Sequence, residues 1–425
     1  MNRSLFKNYL SLVGAETFNK LIVFAAFVFA ARMLGPAYYG YVEWSAAVLM
    51  CVGLLVDQGL NSYGAREIAR DPSQTRRLVT EVVTVRFLIA AIGYVGIVIL
   101  ALGFIKEVVI AELLLTFGLS LLFLPVLLQW VFQGHDRMHI VAITQIARHL
   151  TWAFIIFTFL RTSDDLLVVA IAEVTAVGVA ALLSVWFYRR IFGPQLSLHP
   201  RLSGKLFRDA LPIGLSQMFW VVKMFGATLI VGLIANAEET GYFASAMRIL
   251  IGLHAFVWLY YLNLLPSLSR AWGQGREGFS GLIRNSMRFI VFVSLLGGIG
   301  WVLLAPIVLT LAYGQRFAGG IGALQWLAGV CVAAAVSGHF RFGLIAAGYQ
   351  GKEMITAAVG AIAAVVFIPI GYFFFGVTGA GAALCFAEVV VLVLTWSIAK
   401  RLLFSETTES VKTDNYGEIL PGATQ

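Results

Sequence analysis

Six basic side chains stand inside long apolar runs of this sequence: Lys20, Arg86, Arg148, Lys223, Arg248 and Arg341. Near a bilayer centre each would cost about 2.5–3.5 kcal/mol, so four of them together cost on the order of 10 kcal/mol unless they meet water or a partner. The chemistry open to such residues is anion binding, with arginine as a two-pronged fork and lysine as a point charge. Lys20 has Glu16 one turn earlier and Asn19 beside it, which fits both an i, i+4 ion pair and a polar face lining a wet cavity. Lys223 shares a helical face with Ser216, and Arg248 stands one turn from Ser245. Arg248 is the foremost single candidate. Arg148 with His149, and Arg341 with His339, read either as packing and carbonyl-pairing groups or as a second set of ligand contacts. Arg86 is expected to snorkel toward a polar rim.

Acidic residues are the other anomaly. Glu16, Asp57, Glu81, Glu173 and Glu388 lie in or near the same apolar runs, where a carboxylate is protonated, paired or bound to a cation. Asp57 reads as a helix-end cap beside Arg66, and Glu173 as facing the outer surface. Glu388 has no partner within reach along the sequence. Glu388, Asp57 and Glu16 are therefore the candidates for coupling to H+ or Na+. No cofactor or metal site is expected: Cys51, Cys331 and Cys385 are scattered singly through apolar runs. Gly348 to Lys352 lacks the spacing and the hydroxyl residue of a phosphate loop.

The elements that must position these residues follow from composition. With 60% hydrophobic and 12% charged residues, the chain is far from the soluble average of about 25% charged. It reads as an all-α integral membrane protein, because apolar runs of about 20 residues satisfy their own backbone in lipid as helices. Hydropathy gives twelve spans, at about 10–31, 39–61, 82–104, 108–133, 139–160, 166–188, 209–233, 241–265, 286–313, 319–346, 354–375 and 378–401. Basic residues crowd alternate links. Arg66, Arg70, Arg76, Arg77, Arg189, Arg190, Arg270 and Arg276 fall on one side, against only Arg32, Lys106, Arg161 and Arg316 on the other. By the positive-inside rule both termini are cytoplasmic. The net charge of +8 then faces anionic headgroups of the lipid bilayer, and no nucleic acid partner is needed.

The chain also repeats. A shift of 201 residues lays Phe6-Lys7-Asn8-Tyr9-Leu10 on Phe207-Arg208-Asp209-Ala210-Leu211, and Gly40-Tyr41 on Gly241-Tyr242. Residues 1–190 and 209–403 then form two parallel six-helix repeats, joined by a cytoplasmic linker over 191–208 and followed by a polar, disordered tail over 404–425. In proteins built this way, substrate sites lie at the interface between the halves.

Three motifs carry a family resemblance. The turn Arg32-x-Leu34-Gly35-Pro36-x-x-Tyr39-Gly40, the ending Asp57-x-Gly59-Leu60-Asn61 and the following Arg66-x-Ile68-Ala69 resemble the first repeat of bacterial polysaccharide transporters. These are the O-antigen and exopolysaccharide repeat-unit flippases of the multidrug/oligosaccharidyl-lipid/polysaccharide superfamily. The resemblance implies two lobes around a central cavity lined by spans one, two, seven and eight, in a multi-pass protein of the bacterial inner membrane. It implies no enzyme but a flippase, moving an undecaprenyl-pyrophosphate-linked glycan from the inner to the outer leaflet by alternating access. A polysaccharide polymerase and a chain-length regulator are the implied protein partners. On this reading Lys20, Lys223 and Arg248 would form one basic pyrophosphate cluster, with Asn19, Arg148 and Arg341 as further contacts. A multidrug antiporter of the same superfamily is the alternative, and would favour an acidic, aromatic pocket. A membrane polymerase would need a larger outer loop.

Overall fold

A computed structural model describes the backbone of residues 3–193 and 204–404, and the side chains of residues 21–193, 214, 215 and 218–404. Most of the linker and tail expected from sequence therefore lies outside the described residues. The described backbone is helical, without a strand. We label the helices α1 (Arg3–Asp57), α2 (Leu60–Arg70), α3 (Thr75–Gly103), α4 (Val108–Leu119), α5 (Gln129–Gly134), α6 (Met138–Phe159) and α7 (Leu167–Phe192) in the N-terminal part. In the C-terminal part they are α8 (Gly204–Ile234), α9 (Ala237–Gln274), α10 (Arg276–Tyr313), α11 (Ile321–Ala346) and α12 (Gln350–Leu403).

Two of these helices are broken. In α1 the break is Gly35, whose φ of 74° is open to glycine at little steric cost. Pro36 follows as the first residue of the second arm, where its missing N–H has no partner to lose. In α12 the break falls at Phe375 and Gly376. Both interruptions sit in the links expected between spans one and two and between spans eleven and twelve. Among the described residues nine helical stretches, the two broken ones included, are long and apolar enough to cross a membrane, and Met218–Ile234 is a shorter apolar helix.

The core shows how the bundles are joined. One hydrophobic cluster runs through both of them, from Ala26, Leu34 and Tyr39 of α1 through Phe243 of α9 and Phe317 to Leu384 of α12. It lies toward the end that carries few basic residues. At the basic end the core divides. Leu60, Ile68, Val82, Trp130 and Tyr188 make one cluster in the N-terminal bundle, and Leu268, Phe279, Ile283, Leu344 and Leu403 make another in the C-terminal bundle. Two bundles that share a core at one end and hold separate cores at the other diverge toward the basic end. Helix α9 shows the same change along its length: Thr240 to Leu250 is largely buried, whereas Leu253, Phe256, Trp258, Leu259 and Leu262 are exposed. On the side of α8, Gly214 lies against the Gln58 backbone and keeps the bundles in touch further down.

The shared end has the symmetry of the repeat. A Cβ on Gly40 would collide with the Ala237 carbonyl, and one on Gly241 would collide with the Pro36 carbonyl. The 201-residue shift maps each contact onto the other. Backbones approach this closely only where both residues lack a side chain. Around them Tyr39 packs against Tyr313 and Phe317, with ring centroids 6.2 and 5.9 Å apart. Arg32 donates from Nε to the Ala312 carbonyl at 2.6 Å and from Nη2 to that of Leu311.

Candidate functional site

Directly beneath this closure lies a cavity of about 330 Å³. Its walls come from both arms of α1, from α4, α6 and α7 of the N-terminal bundle, and from α8 and α9 of the C-terminal bundle. Most of the lining is apolar, including Phe27, Leu49, Phe117, Trp152, Phe225, Met247 and Ile251. Four charged side chains interrupt it: Glu43, Arg148, Glu173 and Arg248.

They form two ion pairs of different reach. Arg248, on the buried half of α9, places Nη2 2.5 and 2.6 Å from the two carboxylate oxygens of Glu43 on the second arm of α1. Its guanidinium lies 3.7 Å from the Phe27 ring centroid, a cation–π contact that fixes the plane of the fork. Arg148 of α6 places Nη2 2.6 Å from Glu173 Oε1 of α7. The first pair bridges the bundles, and the second stays within one. Glu173, expected on the outer surface, instead lines the cavity.

A site of this kind is electrically balanced at rest yet rich in donors. A guanidinium has five N–H groups, and the bonds from Arg248 to Glu43 both run from a single nitrogen. An anionic ligand can therefore bind by exchange for a carboxylate. The water-poor walls strengthen any charge-assisted bond formed there.

The other expected residues lie elsewhere. Lys223 does not line the cavity; it is buried in the C-terminal bundle with Nζ 2.5 Å from Glu388 Oε2. Glu388 thus has the partner that the local sequence did not supply, and its other oxygen, Oε1, is buried without a hydrogen bond. Arg341 donates from Nε to Glu353 Oε1 at 2.9 Å. His339 is buried with Nδ1 2.6 Å from the Tyr261 hydroxyl. Asp57 accepts from the Asn61 amide at 3.3 Å at the start of α2. Arg66 pairs with Glu67 instead. Arg86 does not snorkel: it is 3% exposed and donates to Asn61 Oδ1 at 3.0 Å. Lys20, Asn19 and Glu16 fall outside the residues whose side chains are described. Within the described residues the structure brings Arg248 and Arg148 to one cavity and leaves Lys223 and Arg341 in pairs of their own.

Two acidic partners of the candidate arginines are absent from the sequence reading, Glu43 for Arg248 and Glu353 for Arg341. Glu43 did carry a signal, since it is a carboxylate within an apolar span.

Over residues 5–272 the sequence matches the family described as polysaccharide biosynthesis protein. The chain belongs to that family. It is 22% identical over 403 residues to a protein of Shigella dysenteriae named "Putative O-antigen transporter", covering 93% of this chain and all of that one. In fold it is similar to an inward-facing multidrug resistance MATE family transporter, with a TM-score of 0.75 at 16% identity over 93% of this chain and 96% of that one. It is also similar to the lipid II flippase MurJ in an inward closed conformation, with a TM-score of 0.73 at 14% identity over 92% of this chain and 87% of that one. The helical fold is thus shared with both of these solved transporters.

Proposed function

We propose that this member of the polysaccharide biosynthesis protein family is a flippase for a lipid-linked glycan. In this reading the carrier is undecaprenyl pyrophosphate, and the glycan moves from the inner to the outer leaflet of the bacterial cytoplasmic membrane by alternating access. The basic end is the cytoplasmic one. The observation that carries the proposal is a cavity between two bundles that share a core at one end and part at the other, with Arg148 and Arg248 set into its apolar wall. A diphosphate meets two guanidiniums there, and the diverging halves leave room for lipid and sugar to extend toward the basic end. A cavity of about 330 Å³ is at the small end of ligand sites and fits a headgroup with little more, so the oligosaccharide extends beyond it.

Coupling, in this proposal, runs through Glu388. Lys223 already supplies the positive charge that a bound Na+ would bring, so the ion such a site takes is H+, on the unpartnered oxygen. Asp57 is set apart from this role because its carboxylate already accepts from the Asn61 amide. A polymerase and a chain-length regulator would receive the flipped product.

One observation favours a small-molecule antiporter as a second reading: the cavity holds two carboxylates, Glu43 and Glu173, beside its two arginines. Drug resistance on overexpression would support it. The deciding experiment is analysis of surface glycan and of lipid-linked intermediates in a deletion strain. Lost surface polymer with intermediates accumulating on the cytoplasmic side is the expected result, and unaltered glycan would refute the flippase reading.

A further inference from the structure

Of the ion pairs that the described residues form inside the apolar helices, Arg248–Glu43 alone joins the two bundles; Arg148–Glu173, Lys223–Glu388 and Arg341–Glu353 each stay within one. It also lies between the cavity, which both of its side chains line, and the closed end formed by Gly40, Gly241 and Tyr39. From this placement, and resting on the substrate reading above, we infer that Glu43 is a resident anion. It occupies the Arg248 guanidinium in the empty protein, holds the far end shut, and is displaced by the incoming diphosphate.

Arg248 is pinned over Phe27 and bonded at 2.5 and 2.6 Å to both oxygens of Glu43. A diphosphate that takes those donors leaves Glu43 as a second anion a few ångströms away in a poorly hydrated wall, where like charges repel strongly. The bundles then lose their one charged tie beneath the closure and gain a repulsion across it. Binding energy is converted into opening because the ligand interacts differently with the closed and open states. After release, Glu43 recovers its arginine and the closed end re-forms. An empty protein consequently stays shut, which prevents a leak. Glu43 is on this account a positioning residue: it sets when the cavity opens and does not itself hold the substrate.

The test is a distance measured between the bundles at the charge-poor end. Nitroxide labels go on Lys106→Cys and Arg316→Cys, two exposed link positions, in a background with Cys51, Cys331 and Cys385 changed to alanine. Geranylgeranyl diphosphate in detergent micelles is the probe ligand. In the otherwise unaltered protein the short distance should dominate without lipid and a longer one should appear with it. Glu43→Gln should show the longer distance without lipid and bind the diphosphate about tenfold more tightly, within the usual range of coupling between two events. The swap of Glu43→Arg with Arg248→Glu should restore the short distance without lipid. Glu353→Gln, which loosens a pair inside one bundle and away from the cavity, should leave the distance unchanged. If Glu43→Gln keeps the original distribution and affinity, the inference is overturned. Absence of diphosphate binding by the unaltered protein would instead overturn the substrate reading, while the distance in lipid-free Glu43→Gln still judges the latch.

Discussion

Lys223 on α8 and Glu388 on α12 form an ion pair that is almost completely shut off from the surroundings, with side chains 5% and 0% exposed. Such a pair fastens the helix beside the inter-bundle cavity to the last helix of the chain. Its attraction roughly offsets the cost of desolvating both charges, so the intact pair contributes little net stability, whereas breaking it leaves one charge uncompensated.

Lys223→Met or Glu388→Leu alone should therefore destabilise the protein by about 3–5 kcal/mol, and the double variant should recover most of the loss. Thermal unfolding in detergent of the two single variants and the double measures this coupling directly. Single and double losses that simply add would mean that the pair does not act as a unit. If Glu388 carries a coupling proton, Glu388→Gln should also make transport by reconstituted protein insensitive to dissipation of the proton gradient.

The two arginines of the cavity should separate function from folding. Arg248→Glu is expected to abolish surface glycan while the protein remains in the membrane, since a reversed charge repels a diphosphate. Arg148→Ala should likewise lose export. The loss of stability should be smaller than for the Lys223–Glu388 pair, because the Arg148–Glu173 side chains are 32% and 21% exposed against 5% and 0%. Glycan gels and membrane immunoblots of complemented deletion strains report both properties. Normal glycan from a well-expressed variant would remove that arginine from the site.

The membrane character and the repeat were legible from sequence because both are local signals. Apolar length reports a span, and Gly40-Tyr41 with Gly241-Tyr242 reports a shared plan that the structure returns as two mirrored backbone contacts. The motif around Gly35 was legible in the same way: Arg32, Gly35, Tyr39 and Gly40 each serve the closed end. Pairing was not legible. Glu43 and Arg248 lie 205 positions apart, and Lys223 and Glu388 lie 165 apart, so nothing along the chain links them. Arg86 departs from the snorkelling expectation for a related reason. Its distance from a helix end gave a depth, but its partner Asn61 sits on a separate short helix folded against it.

Gly40→Val and Gly241→Val should each pry the closed end apart, because the added side chain meets a backbone carbonyl that has no rotamer to escape into. Overpacking of this kind costs typically 1–3 kcal/mol. Each variant should unfold at lower temperature and show the longer distance between labels at positions 106 and 316. Equivalent effects from the two would express the symmetry of the contact. A valine tolerated at either position without change would show that the bundles do not touch there in the membrane.

Arg32 ties the bundles at the same end by different means. Its side chain, from the N-terminal bundle, donates to the carbonyls of Leu311 and Ala312 in the last turn of α10. Those carbonyls have no partner within their own helix, and a cation there also meets the negative end of the helix dipole. Arg32→Gln retains one hydrogen-bond donor group but loses the charge and the fork. About 0.5–2 kcal/mol of preference for the closed end should disappear with it, the range given by bonds to charged donors and helix-terminal charges. Because Arg32 lies outside the cavity and acts only on the closed end, the distance distribution at positions 106 and 316 should shift toward the longer form and diphosphate binding should be retained, tightening with the shift as the coupling between opening and binding requires. Loss of diphosphate binding with no shift in distance would place Arg32 in the substrate path and refute its role as a structural tie.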